Sequence, residues 1–140
     1  QRTTRAAMLK GVGTFYAALN AHDGKAPADL SAQCQWIVNG QPLGACRAPI
    51  ERNSLQWIAR WRDRQVLAVD PTRGLVAVRV YEDIPATPRE FPGANGAKTP
   101  NPAAYPHSLR IVEVFRFVGG KIEGLRRFSA ELPYGMPPHE

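Results

Sequence analysis

The chain has 140 residues, 44% hydrophobic and 21% charged, which fits a single domain over residues 1–140 and leaves too little chain for two ordinary ones. Its net charge of +6 comes from 18 Lys and Arg interleaved with 12 Asp and Glu. There is no basic block and no aromatic–basic motif, so no nucleic-acid partner is expected. No apolar run approaches the ~20 residues of a membrane span, so no membrane partner is expected either.

Residues 3–20 read as an amphipathic helix, with Met8, Val12, Phe15 and Leu19 recurring at steps of three and four. Gly11 and Gly13 weaken it by up to ~1 kcal/mol each. The helix should end near His22-Asp23-Gly24. A short second helix is expected from Pro27 to Ala32, with Pro27 in its first turn. Cys34 to Val38 reads as a short strand closed by Asn39-Gly40, a turn signal. Residues 40–52 read as loop. Ser54 is placed to cap a third helix from Leu55 to about Arg60, with Trp57 and Trp61 on one side.

A hairpin follows, with strands Gln65 to Val69 and Gly74 to Glu82 joined at Asp70-Pro71-Thr72-Arg73. Residues 84–106 hold six prolines, Pro85, Pro88, Pro92, Pro100, Pro102 and Pro106, and read as one long irregular loop. Such a loop in a compact domain is a lid, a binding loop or disordered. The last hairpin, Leu109 to Leu132, turns at Gly119-Gly120, where a two-residue turn needs positive φ angles. The tail PYGMPPHE carries too much proline for a further element.

The first strand of that last hairpin alternates. Leu109, Ile111, Glu113, Phe115 and Phe117 share one face; Arg110, Val112, Val114, Arg116 and Val118 share the other. Glu113 is the lone carboxylate on an apolar face, so it must be paired, protonated or turned to a polar cavity. Helices first and a bent antiparallel sheet after them make an α+β arrangement, one sheet face packing on the helices and enclosing a pocket.

The segments FYAALNAHDG, the strand ending VNG, and above all EVFRFVGGKIEGLRRF resemble the nuclear transport factor 2-like superfamily, in its SnoaL-like, ketosteroid-isomerase-like branch. The resemblance spans nearly the whole chain in element order. It implies a cone-shaped α+β barrel, N-terminal helices on a strongly curved antiparallel sheet with an internal pocket. It also implies cofactor-independent chemistry on a hydrophobic or aromatic small molecule, and a homodimer formed through the outer sheet face. Glu113 falls where ketosteroid isomerases carry an oxyanion-binding acid, and Tyr16 where they carry an oxyanion-binding tyrosine. Their general-base aspartate is matched by Asn39, which cannot abstract a proton.

The candidate catalytic residues are Glu113, Tyr16 and His107. Burial beside phenylalanines would raise the Glu113 pKa into a useful range; the plainer reading is a structural ion pair with Arg127. Tyr16 reads either as a donor into the cavity or as core with its hydroxyl at the rim. His107 is in phase with Glu113 and reads either as an acid/base at the pocket mouth or as a solvated strand start. Arg127, Asn39, Trp36 and Phe115 are candidates for binding the substrate. Arg127 also reads as a side chain snorkelling to the surface, Asn39 as a turn residue, and Trp36 as plain core.

No CxxC, HxH or HExxH spacing is present, so no metal and no cofactor is expected. Cys34 and Cys46 leave a disulfide and two buried thiols both open; a disulfide would indicate an oxidising, secreted or periplasmic setting. Two functions follow: a lyase- or isomerase-type enzyme working by acid/base chemistry in the cone, or a non-catalytic binding or dimerisation module of the same fold.

Overall fold

The computed structural model describes residues 2–85, 87, 90–92, 98–100 and 105–138. Helix α1 runs Arg5–Ala21 and starts at Thr4, whose hydroxyl accepts the Ala7 N–H at 3.1 Å. Its stripe of Met8, Gly11, Val12, Phe15, Tyr16 and Leu19 is buried, so Tyr16 lies within the stripe. The helix closes on His22, in the left-handed conformation at φ 53°. The His22 ring lies against two carbonyls, with Nδ1 3.0 Å from Asn20 O and Nε2 2.6 Å from Ile58 O.

The helix expected over 27–32 is absent. Residues 28 and 29 turn, and strand β1 (Leu30–Val38) begins at Leu30, which pairs in parallel with Ile122. A short apolar segment does not distinguish helix from strand by periodicity, and sheet pairing decides it. The expected loop at 40–52 is instead strand β2 (Gln41–Ala45), a hairpin partner of β1, followed by helix α2 (Arg47–Glu51). Cys34 and Cys46 form a disulfide that ties β1 to the start of α2. Closing a loop of 12 residues' separation stabilises by roughly 3 kcal/mol. The third helix expected at 55–60 is also absent: residues 52–57 form turns, and Ser54 donates its hydroxyl to Pro49 O instead of capping.

Strand β3 spans Arg60–Asp70 and β4 spans Leu75–Ile84, both longer than the pattern suggests. Gly74 is required in their turn: at φ +68°, an added Cβ would stand 2.4 Å from Phe117 O. Within the expected irregular stretch, β5 (Glu90–Pro92) pairs with β6 (Lys98–Pro100). The rest of that loop lies largely outside the described residues. Strands β7 (His107–Val118) and β8 (Lys121–Leu132) form the expected hairpin.

The main sheet runs β2-β1-β8-β7-β4-β3, antiparallel except for the β1–β8 pair. One face wraps on α1. The odd residues of β7 and the even residues of β4 point into it: Ile111, Glu113 and Phe115; Val76, Val78, Val80 and Glu82. A bulge where β8 passes Arg116 and Phe117 re-phases β8, so that Ile122, Leu125 and Arg127 all face inward. Phe15, Tyr16, Trp36 and Phe115 meet edge-on there, at centroid distances of 5.2 to 5.9 Å.

Candidate functional site

The inner face of the cone carries a cluster of charge that alternation alone sets up. Glu113 on β7 and Arg127 on β8 are direct cross-strand partners. The Arg127 guanidinium donates to Glu113 Oε1 through Nε (3.1 Å) and Nη2 (2.8 Å). Its third nitrogen, Nη1, donates to Glu82 Oε2 on β4 at 2.6 Å. Two indoles complete the carboxylates: Trp36 Nε1 donates to Glu113 Oε2 at 3.0 Å, and Trp61 Nε1 to Glu82 Oε2 at 2.7 Å. Arg127 also lies over the Trp36 ring at 4.9 Å from its centroid. Glu113 and Glu82 are 0% and 1% exposed, so the whole cluster is held away from water.

Burial pushes the Glu113 carboxyl above its ordinary range. Arg127 and Trp36 pull it down, and the neighbouring Glu82 pushes it up again. For Arg127, burial works against the charged form, but Glu82 and Glu113 outweigh it and hold the guanidinium firmly protonated. Tyr16 reaches the same region from α1. Burial, then the Glu113 charge, raises its pKa well above the ordinary value. Its hydroxyl is buried without a hydrogen-bond partner among the described residues. An orphaned buried hydroxyl is uncommon enough to require an occupant or a reason.

The structure therefore brings Glu113, Arg127, Trp36, Tyr16 and Phe115 together. It does not bring in His107 or Asn39. His107 opens β7, six residues from Glu113 and roughly 20 Å away at strand rise. Its Nδ1 lies 2.7 Å from Tyr105 O. Asn39 is exposed in the β1–β2 turn at φ 49°, accepting from Ser129 N and donating to Ser129 Oγ.

Two members of the cluster escape sequence reasoning. Glu82 continues the inward row Val76, Val78, Val80 at a step of two, the same signal that singles out Glu113, but it comes at the strand's end. Trp61 is buried in β3, while Trp57 is 41% exposed, so the pair does not share a helix face. The cone interior, expected to hold a pocket, is packed by aromatic rings around the cluster. A groove of about 260 Å³ lies on the opposite, outer face, bounded by Gln35, Val114, Arg116 and Arg126. Among the described residues no group of three His, Cys, Asp or Glu is placed to hold a metal ion. No helix among them is long and apolar enough to cross a membrane.

An N-terminal helix clasped by a strongly bent sheet, with polar groups on the concave face, is a cone-shaped α+β fold shared with solved structures that include an NTF2-like protein from Cytophaga hutchinsonii. The chain belongs to the DUF8021 family, described as a domain of unknown function, which it matches over residues 1–129. No curated protein matches the sequence. Among solved structures it is similar to AclR, a proposed hydroxylase from Streptomyces galilaeus, at 17% identity and TM-score 0.61, covering 92% of this chain and 91% of that one. It is similar to a proposed isomerase from Bacillus subtilis at 12% identity and TM-score 0.62, covering 89% and 87%. It is also similar to SalBIII, an epoxide hydrolase/cyclase-like enzyme of pyran ring formation in polyether salinomycin, at 16% identity and TM-score 0.61, covering 89% and 92%. At these identities the likeness is one of fold.

Proposed function

We propose that this chain is a small cofactor-independent enzyme of lyase or isomerase type, acting on a hydrophobic or aromatic metabolite by acid/base chemistry in the cone. The observation that carries this reading is a fully buried carboxyl, Glu113, with its proton affinity raised, in the same interior as the unpartnered hydroxyl of Tyr16. Glu113 is the proton carrier. In an isomerisation it takes one proton from the substrate and returns it at another atom, so the step balances without a co-reactant. Tyr16 donates to the substrate oxygen where charge develops. Arg127 has all three nitrogens engaged by carboxylates, which favours an uncharged substrate over an anionic one. Trp36 and Phe115 supply the apolar walls. The hydroxylase, isomerase and cyclase assignments of fold neighbours support this class of chemistry by analogy. The Cys34–Cys46 disulfide supports an oxidising, secreted or periplasmic setting.

A second reading, an association module that binds no substrate, is favoured by one observation: Phe15, Tyr16, Trp36 and Phe115 fill the cone edge-to-face. Thermal shift and native mass spectrometry with a panel of small aromatic, polyketide-like and terpenoid compounds separate the two. At tenfold excess over Kd, a ligand stabilises the fold by ~1.4 kcal/mol. A hit whose turnover is lost in Glu113→Gln, with folding intact, supports the enzyme. Full turnover in Glu113→Gln removes the assignment, and no hit across the panel favours the association module.

A further inference from the structure

Edge strand β3 breaks step with β4 partway along. Arg62 pairs with Tyr81 and Gln65 with Arg79, so Asp63 and Arg64 together stand opposite Val80, and Asp63 takes the left-handed conformation at φ 53°. A bulge of this kind bends the strand and re-aims a side chain. Here it turns Arg64 towards α1. The guanidinium lies over the Tyr16 ring, 5.6 Å from its centroid. It also reaches the helix at Gly13, where a Cβ would stand 3.8 Å from Arg64 Nη2 and meet nothing else within 4 Å among the described residues. Just before the bulge the strand is pinned to the helix: Asn20 accepts from Trp61 N at 3.0 Å and donates to Trp61 O at 3.4 Å. The fixed contact between α1 and β3 ends where Arg64 begins.

Among the described residues Arg64 makes no hydrogen bond and no ion pair. Its neighbour Asp63 is bound to Arg62, and Asp83 to Arg60 and Arg62. Arg64 is exposed while the ring beneath it is buried, so the guanidinium covers Tyr16 on the solvent side. An exposed contact between a cation and a ring is worth only about 0.5–1 kcal/mol, which lets the side chain turn outward and a ligand ring take its place. Below it lies the Tyr16 hydroxyl, buried without a partner. A free cation outside and a free hydroxyl inside thus flank one ring. Inside the cone Arg127 has no nitrogen to spare. We propose that Arg64 anchors the substrate by an anionic end group at the opening between α1 and β3, which narrows the substrate class to an apolar or aromatic monocarboxylate whose uncharged oxygen reaches the Tyr16 hydroxyl. The proposal rests on the reading of the cone as the place where substrate binds. The other arginines of β3 are bound to aspartates, so one guanidinium is left, and its two-pronged donor set matches a carboxylate better than a phosphate dianion.

A matched pair of probes tests it: para-acetylbenzoate and its uncharged methyl ester, which share one ring and one ketone. Titration of ¹⁵N-labelled protein with each gives both affinities. The acid should bind about tenfold more tightly than the ester, because only the acid gains a charge-assisted, two-pronged bond. It should move the Arg64 Nε–H resonance, and high salt should erode its advantage. In Arg64→Gln the two probes should bind alike, at the ester's wild-type affinity, and Arg64→Lys should keep part of the preference. Tyr16→Phe should weaken acid and ester equally. An acid preference that survives in Arg64→Gln, or binding unchanged in Tyr16→Phe, overturns the proposal by placing the anchor elsewhere. Equal binding of the pair to the wild type overturns the anchor and leaves the cone as a binding site, whereas binding of neither probe removes both. Should Arg64→Gln fail to fold, the wild-type ratio and the Arg64 resonance decide alone. None of these readouts needs turnover, so full activity in Glu113→Gln would remove the proton carrier and leave the anchor standing.

Discussion

Arg127 carries the charge balance of the cone's interior, and its replacement shows what kind of energy is stored there. Arg127→Met keeps much of the volume but leaves Glu82 and Glu113 buried without a counter-ion. Breaking a buried ion pair from one side costs about 3–5 kcal/mol. The loss should be largest at pH 7 and shrink as pH falls, because protonation of Glu113 removes an uncompensated charge. The sign follows from the direction of the Glu113 shift: its folded pKa lies above its unfolded one, so stability falls as pH rises through that window. Urea unfolding at pH 7 and pH 5 checks it, and an equal loss at both would assign the effect to packing. Asp83 is the opposite case. Burial pushes its carboxyl up, but hydrogen bonds from Arg62, Ser108 and Arg60 outweigh this and bring it down to about 2. Its contribution, on the order of 2 kcal/mol, is complete above the ordinary aspartate value and is lost as pH falls through about 2. Asp83→Asn should therefore destabilise at pH 7, and its deficit should close as wild type and variant are compared near pH 2. A deficit constant with pH would count against the depressed pKa.

At the scale of elements, the two glycines of α1 look alike in sequence and should behave oppositely. A Cβ on Gly11 would stand 2.8 Å from the Phe117 ring and 3.2 Å from Asp29 Oδ2, so this glycine lets the helix approach β7 closely. A Cβ on Gly13 would find its nearest neighbour, Arg64 Nη2, at 3.8 Å, an ordinary contact. Alanine adds up to ~1 kcal/mol of helix propensity at either position, but overpacking at residue 11 costs about 1–3 kcal/mol. Thermal unfolding should show Gly13→Ala stabilised and Gly11→Ala destabilised; stabilisation of both would refute the close approach. The same contrast marks what was legible beforehand. Helix α1 and the β7–β8 hairpin carry long, clean periods, and Glu113 opposite Arg127 follows from alternation. The stretch 27–60 carries none, so tertiary pairing turned an expected helix into the start of β1 and an expected loop into β2 and α2. Edge strand β3 begins with Arg60, Arg62, Asp63 and Arg64, charges that hide a strand from a hydrophobic pattern while serving an exposed edge. Glu82 lay in plain phase with three valines, yet its role depends on Arg127 reaching across β7, a contact between residues 45 apart that no local pattern carries.

For the whole molecule, the open question is what covers the second face of the sheet. One face is closed by α1; the other presents Val112 and Val114 half-buried and Phe128 at 52% exposure. Val112 and Phe128 are cross-strand partners, and Val114 follows two residues on, so the three form one contiguous patch. Arg110, Arg116 and Arg126 rim it, and Glu123 stands beside the groove. A two-fold pairing is self-complementary, so the apolar centre can stack on itself while the arginine rims of the two copies remain in solvent or find Glu123 across the interface. The expected outcome is a homodimer at micromolar concentration in sedimentation velocity, with Phe128→Lys sedimenting as a folded monomer. Because arginines dominate the rim, raising the salt should tighten the wild-type dimer rather than loosen it, since screening removes like-charge repulsion and leaves the apolar contact untouched. A wild-type monomer at all salt concentrations would mean that the repulsion prevails and that this face serves something other than a second copy.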